Sequence, residues 1–171
     1  MSGHPQRAIL FLDVDGVLIP YGNRAAPDSA TVLLGGPEAD EELLSRIDPT
    51  LGPRLLSLGC DLVWATGWED DANEVISPRV GLPQLPVLAW SFDRLETGPA
   101  GLHWKTRDLI AWAGGRPFVW VDDEISKVDR DWVALDYAGH ALLHRVDSRT
   151  GLTEDDLAVI ERWLDDLPSA D

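Results

Sequence analysis

A chain of 171 residues, 44% hydrophobic and 26% charged, has the composition of one globular domain with a core of its own. Thirty acidic residues against 14 basic ones leave a net charge of −16, which argues against a general nucleic-acid or membrane-surface binder. The single cysteine, Cys60, excludes an internal disulfide and a cysteine-based zinc site, and no apolar run reaches the length of a membrane span.

The elements follow in chain order. Ala8 to Leu12 is a continuous apolar run ending in Asp13-Val14-Asp15-Gly16, which suits a strand buried on both faces. Residues 20–48 are rich in Pro, Gly, Asn and acids and read as a long loop, with room for a short strand at Thr31 to Leu34. Pro49 to Leu58 carries apolar residues at helical spacing and stops at Gly59. Asp61 to Ala65 is a second buried strand, closed by Thr66-Gly67. A helix is expected from Glu69 to Ile76, ending before Pro78. Leu85 to Trp90 reads as a third strand, and Leu102 to Ala113 as a helix ending at Gly114-Gly115. Pro117 to Val121 is a fourth strand, closed by Asp122-Asp123. A helix over Ser126 to Leu135 and a fifth strand over Ala141 to Val146 follow. Thr153 with Asp156 caps a last helix to Leu164, whose apolar side (Leu157, Ile160, Trp163, Leu164) should pack on the sheet. Alternating strands and helices predict a three-layer α/β fold with a five-stranded, mainly parallel sheet. The expected organisation is one domain over 1–171 in a reducing, cytoplasmic setting. The apolar run near the N-terminus is too short for a secretory signal core.

In such sheets ligands bind at the carboxyl ends of the strands. Three of those ends carry Asp13 and Asp15, Thr66-Gly67, and Asp122-Asp123. Carboxylates facing one crevice repel each other. A hard cation such as Mg²⁺ relieves that, because it takes oxygen ligands and keeps positions open for a phosphate. Lys105, one of only two lysines, opens the helix leading into the Pro117 to Val121 strand and offers the positive charge a phosphate needs. With Gly16 turning the chain, Asp13 and Asp15 can separate into two roles. One carboxylate could attack phosphorus, and the other could protonate the departing oxygen and then activate water. Taken singly, each of these residues has a plainer use: the aspartates as turn or cap acids, Thr66 as an N-cap, Lys105 as a solvated helix residue.

Together they carry a resemblance. Phe11-Leu-Asp-Val-Asp-Gly-Val-Leu18 resembles the first motif of the haloacid dehalogenase (HAD) superfamily, and Asp61-Leu-Val-Trp-Ala-Thr-Gly67 its second. Lys105 fits the third motif, and Phe118-Val-Trp-Val-Asp-Asp123 the fourth, in the family's order. Trp64 to Asn73 and Thr150 to Thr153 further resemble a small capless bacterial subgroup, some of whose relatives are associated with RNA-repair proteins. The resemblance implies a Rossmann-like HAD core with a minimal cap, acting as a phosphatase. It implies Asp13 as nucleophile, Asp15 as general acid and base, and Thr66 with Gly67 and Lys105 on the substrate phosphate. It implies Mg²⁺ held by Asp13, the Asp15 backbone carbonyl, Asp122 and Asp123, the last directly or through water.

Neither 17–48 nor 77–101 is long enough for a full cap domain. The expected site is open and partly covered by 17–48, with Tyr21, Asn23 and Arg24 as candidate contacts. Trp68 is a candidate for stacking on a substrate ring or for packing, and Asn73 for facing the site or solvent. His103, His140 and His144 lack metal-ligand spacing and read as structural. The net charge favours a small phosphorylated substrate over a long nucleic acid. A phosphate-binding module without turnover and a phosphatase acting on nucleic-acid ends are the alternatives.

Overall fold

The structure is a computed structural model that describes residues 7–23, 41–91 and 99–168. Arg24 and the expected strand at Thr31 to Leu34 lie outside these residues. Four strands form one parallel sheet: β1 (Ile9–Leu12), β2 (Asp61–Trp64), β3 (Phe118–Asp122) and β4 (Ala141–Arg145), in the order β2-β1-β3-β4. Every pairing is parallel, with Leu12 opposite both Trp64 and Val121. The helices between them are α1 (Glu41–Leu44), α2 (Leu51–Ser57), α3 (Ser77–Val80), α4 (Thr106–Ala113), α5 (Lys127–Asp136) and α6 (Glu154–Asp165).

Alternation along the strands builds a core on each face. Leu10, Leu12, Leu62, Trp64, Val119 and Val121 point to one face, where Leu55 of α2, Val80 of α3 and Leu157 and Ile160 of α6 cover them. Ile9, Phe11, Val63, Phe118, Trp120 and Leu143 point to the other, under Leu109 and Ala113 of α4 and Val133 of α5. The result is the expected three-layer α/β arrangement, with Trp163 and Leu164 of α6 packed against the first core. Burying each large side chain stabilises the fold by roughly 1.5–3 kcal/mol. The wholly buried Trp64, Trp120, Phe11 and Phe118 therefore anchor β2, β3 and β1.

Four expectations need correction: the stretch read as a loop over 20–48 holds α1 at Glu41–Leu44, the helix read from Leu102 begins at Thr106, and two more concern residues 69–90. Leu85 to Trp90 is not a fifth strand among the described residues. It touches β2 through one parallel bridge, Trp64 to Val87. The Trp64 N–H donates to the Pro86 carbonyl and the Leu88 N–H to the Trp64 carbonyl, both at 2.9 Å. Pro83 and Pro86 have no N–H to give, so the ladder cannot extend. The helix expected from Glu69 also starts later. Glu69 sits at φ 50°, a left-handed conformation that no helix accommodates. A π-helical turn over Ala72–Ile76 follows and runs into α3, straight through Pro78. The wider turn and the position of Pro78 near the start of α3 absorb the missing N–H.

The helix caps match the sequence. Thr153 and Asp156 form a capping box on α6, and Ser126 and Asp129 form another on α5. No helix among the described residues is long and apolar enough to cross a membrane.

Candidate active site

β1 lies between β2 and β3, so the residue that ends it, Asp13, stands in the middle of the carboxyl edge of the sheet. The Asp13 N–H donates to the Val121 carbonyl at 3.2 Å, which carries the strand register one residue further. Beyond it the Val14 carbonyl accepts from the N–H groups of Val17, Leu18 and Ile19, turning the chain sharply. Gly16 makes the turn at φ +71°, and a Cβ there would lie 2.4 Å from Asp123 Oδ2. Only glycine lets the β1 turn and the β3 acid pair approach this closely.

Lys105, at the N-cap of α4, extends its ammonium beneath these strand ends. Its Nζ lies 2.7 Å from Asp122 Oδ2 and 3.0 Å from Asp13 Oδ2, and it is 3% exposed. Burial alone would depress the Lys105 pKa, but the Asp122 and Asp13 carboxylates outweigh it and hold the ammonium above its usual value. Asp122 is wholly buried and would be driven up by that burial. Lys105, His103 and hydrogen bonds from Lys105 and the Glu124 N–H hold it below the usual carboxylate range. Asp13 goes the other way: burial raises it, Lys105 opposes, and the charges of Asp122 and Asp15 raise it further. Burial, with Asp122 and Glu124 beside it, pushes Asp123 up to about 7. One ammonium thus faces more negative charge than it can neutralise.

Asp15 is half-buried. Its Oδ2 accepts the indole N–H of Trp68 at 2.9 Å, and burial raises its pKa against that bond. Thr66 is wholly buried at the end of β2. It does not cap a helix: its hydroxyl accepts from the Trp68 N–H at 3.3 Å and its carbonyl from the Trp90 indole at 3.0 Å. The hydroxyl proton remains to be donated. The Gly67 N–H makes no hydrogen bond among the described residues. The structure therefore brings Asp13, Asp15, Thr66, Lys105, Asp122 and Asp123 to one edge, with Gly67 in the turn after Thr66.

Residues 9–157 match the family described as the HAD domain in Swiss Army Knife RNA repair proteins. The chain belongs to that HAD family. No curated protein and no solved structure is matched. HAD domains are generally hydrolases, phosphatases among them, and typically use Mg²⁺.

The donor set of this HAD domain fits such a cation. Carboxylate oxygens of Asp13, Asp122 and Asp123 lie within 4.8 Å of one another, all hard ligands in a place short of positive charge. His103, Asp122 and Glu124 form a second close group, but its histidine is already committed. His103 Nδ1 accepts the Lys105 N–H at 3.2 Å, which leaves the proton on Nε2, 3.2 Å from Glu124 Oε2. That bond holds Glu124 below its usual value. His144 Nε2 lies 2.8 Å from Asp156 Oδ1 and ties β4 to the α6 cap.

Two residues of this HAD domain do work that spacing along the chain did not reveal. Asp129, wholly buried on α5, accepts the His103 N–H at 2.7 Å and the Thr106 hydroxyl at 2.9 Å through Oδ1. Its Oδ2 accepts from the Ser126 N–H at 2.8 Å. The turn that carries Lys105 is thereby clamped to α5. Asn73 faces neither the site nor solvent. Its Oδ1 accepts from the Trp64 indole, the Ser77 hydroxyl and the Leu85 N–H, and its Nδ2 donates to the Leu85 carbonyl at 2.8 Å. It clips the 85–88 segment to β2. Tyr21 is buried, and burial with the nearby charges of Asp15 and Asp123 raises its hydroxyl pKa, whereas Asn23 is exposed.

Two cavities flank this edge. One of about 590 Å³ is lined by Glu69, Asp70 and residues 87–91, whose Trp90 bonds Thr66. The other, of about 330 Å³, is lined by Asp123 and residues 145–148.

Proposed function

We propose that this HAD domain is a Mg²⁺-dependent phosphomonoester hydrolase working through an aspartyl-phosphate. The observation that carries the reading is Asp13 at the centre of the sheet edge, 3.0 Å from a buried ammonium and beside a second carboxylate held apart from it by Trp68. In this reading an Asp13 oxygen attacks phosphorus in line, and the bond to the substrate oxygen breaks. Asp15, whose burial favours the protonated form, gives its proton to that departing oxygen. Asp15 then takes a proton from the water that hydrolyses the Asp13 acyl phosphate, which releases inorganic phosphate and restores the Asp13 carboxylate and the protonated Asp15. Lys105 and the Thr66 hydroxyl bind the phosphate oxygens, with the Gly67 N–H available to a third. Mg²⁺ would be held by Asp13, Asp122 and Asp123, with the Asp15 carbonyl completing the set, and would supply neutralisation of the transferring phosphoryl charge.

In this reading the chain is one domain over 1–171 with 17–48 as an insertion near the site, and the substrate is a small phosphorylated compound. The family's association with RNA repair proteins favours a second reading, a phosphatase for nucleic-acid ends, and the net charge of −16 weighs against a long strand.

Phosphate release from an aryl phosphate, measured with and without Mg²⁺, tests the proposal. Activity should require Mg²⁺ and vanish in Asp13→Asn. Full activity in that variant would overturn the mechanism. Tight binding of a phosphate analogue with no release from a broad substrate panel would favour a binding module. Preference for oligonucleotide ends over mononucleotides would favour the second reading.

A further inference from the structure

β4 ends at Arg145, one strand from the acid pair that closes β3. Its Nε donates to the Asp123 carbonyl at 2.9 Å, and the next residue, Val146, donates its N–H to the Asp122 carbonyl at 3.0 Å. These bonds fix the guanidinium beside the acid pair. The terminal Nη groups form no ion pair among the described residues. Arg149 is different, because it grips Asp147 through two bonds: Nε to Oδ1 at 3.3 Å and Nη2 to Oδ2 at 3.1 Å. Asp147 is thus gripped by Arg149, while the Arg145 charge acts on it without a direct ion pair, so Arg145 keeps donors to spare on a chain of strongly negative net charge.

Ser148 adds a second donor. Its backbone carbonyl takes the Tyr21 N–H at 2.8 Å, and its hydroxyl has no hydrogen bond among the described residues. Asp123, Arg145, Val146, Asp147 and Ser148 line the cavity of about 330 Å³. That cavity abuts the turn after Asp13. A Cβ at Gly16 would meet Asp123 Oδ2 at 2.4 Å and Ser148 Cβ at 3.1 Å. The space far exceeds that of one water, about 30 Å³, and takes a tetrahedral anion with its linker.

We propose that this cavity is a second anion subsite. The Arg145 Nη donors and the Ser148 hydroxyl receive a phosphate that the substrate carries in addition to the one cleaved at Asp13. Guanidinium suits that task because its planar fork matches phosphate oxygens two at a time. The preferred substrates are then small bisphosphorylated compounds rather than simple monoesters. The inference rests on the phosphatase reading and deepens it.

Calorimetric titration of the Asp13→Asn protein in Mg²⁺, with a nucleoside 3′,5′-bisphosphate and the matching 5′-monophosphate, tests it without turnover. The bisphosphate should bind about tenfold more tightly, the size of one charge-assisted interaction. Adding Arg145→Ala should bring the ratio to within about twofold. Arg145→Lys, which keeps the cation but loses the fork, should retain only part of it. A purely structural arginine would weaken both ligands alike and leave the ratio unchanged. Equal affinities in the parent protein, or a preference that survives Arg145→Ala, overturns the subsite. If the wild-type protein hydrolyses an aryl phosphate but neither nucleotide binds, the subsite alone falls. If nothing binds and nothing is hydrolysed, the phosphatase reading falls with it.

Discussion

Trp68 donates its indole N–H to Oδ2 of Asp15 at 2.9 Å, joining two residues that lie 53 positions apart in the chain. The bond fixes the orientation of the Asp15 carboxyl group. Burial raises the Asp15 pKa, and the indole restrains that rise. Trp68→Phe keeps most of the packing and removes the donor. It should lower kcat by about 10- to 100-fold with a much smaller change in KM. The ionisation belonging to Asp15 should also move to higher pH in the rate profile. A kcat and pH profile like those of the wild type would show that the bond is incidental.

Lys105 is the only cation paired with Asp13 and Asp122 among the described residues. Lys105→Met leaves two buried carboxylates without it. Breaking a buried pair from one side costs on the order of 3–5 kcal/mol. Urea unfolding should show a loss of that size, and Lys105→Met combined with Asp122→Asn should recover part of it. Equal stability of Lys105→Met and wild type would contradict the buried pairing.

Asp129 links stability to pH. Burial would raise its pKa, but bonds from Ser126, the His103 N–H and Thr106 lower it below its usual value. A carboxyl group lowered on folding stabilises the fold fully above its unfolded value of about 3.9. The contribution then fades as pH falls through the lower folded value. The melting temperature of Asp129→Asn should therefore trail the wild type most near neutrality, by an amount equivalent to about 1–3 kcal/mol. The gap should narrow below about pH 4. A gap constant down to pH 3 would remove the charge from the account.

Gly16 tests the close approach of β1 and β3. Gly16→Ala must hold φ +71° and push aside the Asp123 carboxylate. A fall in stability of about 1–3 kcal/mol, with loss of phosphatase activity, is expected from thermal melts and aryl phosphate assays. An unaffected protein would mean that the turn relaxes freely.

β1, β2 and β3 were legible because each carries an apolar run that gives way to polar residues, a pattern set by burial on both faces, whereas β4 shows only the short apolar start Ala141 to Leu143. The Thr153 and Asp156 box was legible because capping is local. Leu85 to Trp90 misled because its apolar content suits a strand while its prolines withhold the donors a ladder needs. The late helix start was hidden in the left-handed Glu69, which nothing in its neighbours announces. Asp13, Thr66 and Asp122 could be placed from strand ends, and Lys105 from its scarcity and its place at a helix start. The parts played by Asp129, Asn73 and Trp68 could not, since each depends on partners that only the folded chain brings near.

The single bridge at Trp64 has a counterpart across the sheet. There Arg130, on α5, donates Nη1 to the Leu143 carbonyl of β4 at 2.5 Å. Prolines and an asparagine clip occupy one margin of the sheet, and a guanidinium blocks an outward carbonyl on the other. Each margin is thus a poorer template for another strand, which works against edge-to-edge aggregation.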